Sequence, residues 1–179
     1  MKPPNFQEVF FQTFAERDKP IKFRIRSDSN FLHDVQFLNS LIHDSSFELK
    51  DIITDKRTVT IPLVRSRWEV REEVKKQNML EVPAVLKFSK VKSVRWVIGD
   101  IQHSPPFSGT LVDADDSISG TTQCQIDTFF VGESTYLAKS GATEVILKGY
   151  PRHWQLRIVL PAEGWSIALA DLPAPNDKI

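Results

Sequence analysis

Through the last third of the chain apolar residues recur at every second position, the period of a strand with one buried and one wet face. Val145 and Leu147 lead to a turn at Gly149-Tyr150-Pro151-Arg152, and Trp154, Leu156, Ile158 and Leu160 then alternate with Gln155, Arg157 and Val159. A second turn at Pro161-Ala162-Glu163-Gly164 precedes Trp165, Ile167 and Leu169. Short connections join antiparallel neighbours, so this spacing predicts a three-stranded meander over residues 144–170 with Trp154 and Trp165 on apolar faces.

The same period runs upstream. Ile21-Lys22-Phe23-Arg24-Ile25-Arg26 alternates apolar with basic residues. Phe47, Leu49 and Ile53, then a turn at Thr54-Asp55-Lys56, then Val59, Ile61 and Leu63 read as a hairpin. Pro62 has no backbone N–H, which predicts that the second of those strands is an edge at that point or ends nearby. Residues 82–98 hold two more strands, with a bulge or tight turn near Lys90 where Val91 breaks the parity of Leu86 and Phe88. Cys124, Ile126, Thr128 and Phe130 form the inward side of another. Residues 65–78, dense in both charges, read as a solvated loop, and 102–121, with Pro105-Pro106 and many Ser and Asp, as the longest loop.

Only the first quarter departs from this pattern. Asn5-Phe6-Gln7-Glu8 has the form of a capping box, and Phe6, Val9, Phe10 and Phe14 follow at helical spacing. Phe31, Leu32, Val35, Leu38, Leu41 and Ile42 make a second helical face with Phe37 off it, while Phe31, His33, Val35 and Phe37 also fit one side of a strand; the helix is the expectation. The sum predicts an α+β chain: a mainly antiparallel sheet, flat or curled into a half-barrel, with two N-terminal helices packed on it. The seven glycines form neither GxGxxG nor GxxxxGK, which disfavours a Rossmann fold and leaves no glycine-rich phosphate loop.

At 179 residues the chain reads as a single domain with residues 171–179 as a tail. Folding at this size removes about 70% of the unfolded surface from water, so a core needs no staples. Lys+Arg and Asp+Glu both number 23, which makes nucleic acid an unfavoured partner. A lone cysteine, Cys124, excludes an internal disulfide and a cysteine-based zinc cluster. No apolar run reaches the roughly 20 residues of a membrane helix, and Met1-Lys2-Pro3-Pro4-Asn5-Phe6 has no apolar leader core; the expectation is a cytoplasmic chain off the membrane. No sequence signature points to a cofactor.

Two patterns could carry metal chemistry. His33-Asp34 and His43-Asp44 repeat a base-and-carboxylate pair ten residues apart, a set that a metal-dependent hydrolase could use. On a straight helix ten residues rise about 15 Å, so only a chain reversal would bring both pairs to one ion. The plain alternative has Asp44 turning the chain after the helix and both histidines facing solvent. Asp113, Asp115 and Asp116 resemble the start of a calcium loop, but the sixth and twelfth places hold Ile118 and Cys124 instead of glycine and glutamate.

Charge is unevenly distributed along the chain. From Trp96 to Ala138 there is no Lys or Arg, and six acids stand alone. Basic residues gather at Lys22, Arg24 and Arg26, at Lys87, Lys90, Lys92 and Arg95, and at Lys148, Arg152 and Arg157. If those strands are neighbours, their wet faces make one basic surface to which an exposed Trp96 or Trp154 would add stacking. The leading expectation is therefore a non-enzymatic binding module that contacts a partner protein or a second copy through a basic sheet face or the acidic loop. The alternatives are the hydrolase and a curled sheet enclosing a small apolar ligand, walled by Trp68, Trp96, Trp154 and Trp165.

Overall fold

A computed structural model of the chain describes residues 20–27, 31–67, 81–111, 118–132 and 141–172. The described residues form one antiparallel sheet of eleven strands and a single α-helix. The strands are β1 (Lys22–Arg26), β2 (Ser46–Glu48), β3 (Ile53–Asp55), β4 (Thr58–Ser66), β5 (Glu81–Ser89) and β6 (Ser93–Ile98). They continue with β7 (Ile101–His103), β8 (Gln123–Gly132), β9 (Thr143–Tyr150), β10 (Trp154–Leu160) and β11 (Ser166–Asp171). The helix, α1, spans Phe31–Ile42.

This corrects the expected α+β class. The described residues hold one helix, not two helices packed on a sheet, and the protein is mainly antiparallel sheet. The helix expected around residues 5–14 lies outside the described residues. From Ser46 onward the period of two dominates, and one twelve-residue helix is too short to make a layer of its own.

The strand order is β1-β11-β5-β4-β2-β8-β9-β10-β6-β7, with β3 paired to β4 beside β2. β5 and β6 follow each other in sequence but stand third and ninth in that order. In a flat sheet six steps separate strands by about 29 Å. The four Cα steps from Ser89 to Ser93 reach at most about 14 Å, so the sheet must curl over on itself. Lys90, in the left-handed region at φ 62°, turns the corner. Val91 N–H donates to Arg57 O and Lys92 N–H to Val159 O, both at 2.8 Å, tying the corner to the two halves it joins.

The predicted meander is overturned for the same reason. β9 and β10 pair as expected, but β11 leaves β10 and lies between β1 and β5. β4 is interior to the order and runs on to Ser66, so Pro62 marks neither an edge of the sheet nor the end of a strand, only a local break in pairing on one side. β3 pairs with β4 as far as Thr60 and β2 pairs at Val64, so Pro62 falls in the gap between them.

Inward side chains from both halves meet in one apolar cluster that includes Ile61, Leu86, Phe88, Trp96, Leu147, Trp154, Ile158 and Ile167. The helix contributes Val35, Phe37, Leu38, Leu41 and Ile42 to it. Phe37, expected off the buried face, sits edge-on against Phe23 of β1 at 4.9 Å, whereas Leu32 is 62% exposed. The C-terminal end of α1 is fixed to β8. Asn39 Oδ1 accepts from Phe129 N–H at 2.7 Å, and Asp44 N–H donates to Ile126 O. β8 shifts register between Ile126 and Thr128 at that place, so the inward residue beyond the shift is Phe129 and not the expected Thr128 or Phe130. Among the described residues no helix is long and apolar enough to cross a membrane.

Candidate functional site

The two His-Asp pairs flank the helix and stay apart. His33 and His43 are both exposed, one near each end of α1. Asp44 takes φ 61° just beyond the helix, the left-handed position that glycine often fills and that aspartate tolerates. Its Oδ1 accepts from Gln125 Nε2 at 2.9 Å and lies 3.3 Å from His43 Nδ1. Among the described residues no group of three or more His, Cys, Asp or Glu is placed to hold a metal ion. The predicted hydrolase cluster of His33, Asp34, His43 and Asp44 therefore does not assemble. Asp113, Asp115 and Asp116 lie outside the described residues.

The described tryptophans belong to the core. Trp96 stacks on Trp154 with centroids 4.7 Å apart, and Trp154 meets Phe47 edge-on. Both are fully buried on the inward faces of β6 and β10, which removes them from any exposed stacking role. Trp165 is buried as well, and Trp68 lies outside the described residues. Trp96 also packs against Phe107, with ring centroids 6.3 Å apart. Burial pushes the Cys124 thiol up to about 12, so it carries no thiolate near neutral pH.

The expected single basic surface divides in two because β5 and β6 lie in opposite halves of the curled sheet. On the outer face of β10 and β6, Arg157 and Arg95 stand directly opposite each other. Like charges so placed repel. Glu144 of β9, only 2% exposed, offsets one of the two charges: it accepts from Arg157 Nε and Nη2 and lies 3.8 Å from Arg95 Nη2. Arg157 is thus engaged by Glu144, while Arg95 stays partly exposed beside it. Lys148 sits over the Phe130 ring at 5.2 Å. Lys90 and Lys92 are exposed at the corner, and Arg152 is in the exposed turn between β9 and β10.

The other half presents a different arrangement on the outer face of β1, β11 and β5. Arg24, Ala168 and Lys87 form one cross-strand row; Arg26, Ser166 and Ser89 form the next, and Lys22, Ala170 and Val85 the one beyond. Of these nine outward residues four are cationic and none is acidic. Lys22, Arg24 and Lys87 enter no ion pair with another described residue. Ala168 has no side chain beyond Cβ, so the long arms of Arg24 and Lys87 can lean over it from both sides toward one anionic group.

Three features escaped the sequence reading. Glu144 gave no sign of its partners, Arg157 and Arg95, which lie on two other strands. Arg65, expected in a solvated loop, and Asp171, expected to start a tail, are buried and paired with each other. The alanine floor of β11 looked like unremarkable strand sequence, since only the order of strands shows what flanks it. No family model, curated protein or solved structure matches this chain.

Proposed function

We propose that this chain is a binding module that takes an acidic segment of a partner protein on the outer face of β1, β11 and β5. The observation that carries the reading is the row Arg24–Ala168–Lys87 with Lys22 and Arg26 beside it, a patch with cations and no acid within the shared register. A local field of one sign attracts the opposite charge even where the whole molecule is neutral. No exposed aromatic residue lies on these nine positions to stack a nucleic-acid base, so the chemistry favours protein carboxylates.

The test is fluorescence anisotropy of a labelled oligoglutamate peptide titrated with the full chain at rising salt. Binding should weaken steeply with salt. It should vanish in the triple variant Lys22→Glu, Arg24→Glu, Lys87→Glu, while Arg95→Glu, on the other half, leaves it intact. Absence of binding, or equal loss in both variants, would overturn the reading. A salt-sensitive dimer in sedimentation, abolished by the same triple variant, would instead assign the face to a second copy.

A further inference from the structure

Resting on that cationic face, we infer that the partner segment binds by adding a strand to the outer edge of β1, which no other described strand occupies, and that it alternates acidic with apolar residues. β1 ends the strand order, and no described strand pairs with its second side. Its outward residues are Lys22, Arg24 and Arg26, and its inward ones are Phe23 and Ile25. Side chains on one face of a strand repeat about every 6.7 Å, and an extended peptide has the same repeat. A segment laid along β1 therefore sets every second residue opposite a cation, at the roughly 5 Å Cβ separation where cross-strand charge pairs act. The residues between point inward beside Phe23, against which Phe37 of α1 is already seated.

The same cations discriminate among partners. An exposed edge is a template for any strand, and lysine or arginine along it repels edges of like charge. A second copy of β1 would set cation against cation, so edge-to-edge pairing of this strand with itself is disfavoured. An acidic strand meets the opposite situation. Main-chain hydrogen bonds then supply affinity and the alternate side chains supply selection, as in other cases of strand addition.

The experiment compares four short peptides by isothermal titration against the full chain. The first is Thr-Glu-Val-Glu-Val-Glu-Thr with both ends capped, and the second has the same residues with its three acids contiguous. The third and fourth carry the alternating sequence N-methylated on every Glu or on every Val. In an antiparallel strand successive N–H groups point to opposite sides, so one methylation pattern faces β1 and the other faces solvent. Strand addition predicts that one methylated peptide loses binding and the other keeps it, and that the contiguous-acid peptide binds about tenfold more weakly. Arg24→Glu should weaken the alternating peptide by a similar factor and should prefer a version with its central Glu replaced by Lys. If both methylated peptides bind like the parent, with binding still lost in the Lys22/Arg24/Lys87 triple variant, the edge mode is overturned and the cationic face stands. If none of the four binds, both readings fall.

Discussion

Arg65 and Asp171, 106 residues apart in sequence, meet in the interior as a bidentate ion pair, with Nε to Oδ1 at 2.6 Å and Nη2 to Oδ2 at 2.7 Å. Asp171 Oδ2 also accepts the Ile21 backbone N–H, and Asp171 N–H returns a bond to Ile21 O, both at 2.9 Å. One carboxylate thus joins β4, β11 and the residue that leads into β1. Removing one partner of such a pair leaves the other charge buried. Asp171→Ala is expected to cost about 3–5 kcal/mol in urea unfolding. The double variant Arg65→Met, Asp171→Leu should recover most of that, short of about 1 kcal/mol for the Ile21 N–H left unpaired.

Gly149 faces Trp154 in the β9–β10 register, and a Cβ placed on it would lie 1.8 Å from Gln125 O and 2.6 Å from the Trp154 ring. Neither contact is tolerable, and the first is to backbone of β8. Gly149→Ala should destabilise by at least about 3 kcal/mol or prevent folding. Truncating the ring as well, in Gly149→Ala/Trp154→Ala, should not rescue it, because the carbonyl clash persists. Recovery in the double variant, measured by thermal unfolding, would contradict the β8–β9 register.

Glu144 ties Arg157 closely and Arg95 at 3.8 Å, so the two arginines should differ when removed. Arg157→Ala leaves a buried carboxylate without its main partner and should cost about 3 kcal/mol. Arg95→Ala should cost under about 1 kcal/mol, since its side chain is substantially exposed and its link to Glu144 is long. Equal losses in chemical denaturation would mean that the pair shares the carboxylate evenly.

Cys124 is buried, and its thiol is raised from 9.0 to about 12. The unfolded chain releases that proton first, so between about pH 9 and 12 the native state holds the extra proton and stability falls as pH rises. Below the unfolded value the contribution is complete. Melting temperatures of the natural chain should therefore decline more steeply above pH 9 than those of Cys124→Ala. Thiol reagents should label Cys124 only on unfolding.

Much of the secondary structure was legible in the residues themselves. The alternation at Ile21–Arg26 became β1, the face from Phe31 to Ile42 became α1, and Trp154 to Leu160 became β10, because period and turn chemistry are local properties. So was the fate of Asp44, whose place after a helix favours a left-handed turn over a metal site. Strand partners across hairpins were legible, as for β9 and β10, but distant partners were not. The short link at Pro161–Gly164 suggested that β11 would pair with β10, yet the curl of the sheet carries it across to β1 and β5.

That difference decided the candidate site. Sequence by itself determined that the chain alternates, that Lys22, Arg24 and Arg26 share one side of a strand, and that Lys87 has the parity to face out. Only the tertiary structure decided that Ala168 lies between Arg24 and Lys87, and that Arg95 and Arg157 belong to another face where Glu144 holds them. Side-chain parity is set within a strand by backbone geometry, whereas neighbours are chosen by burying inward faces from distant parts of the chain in one core.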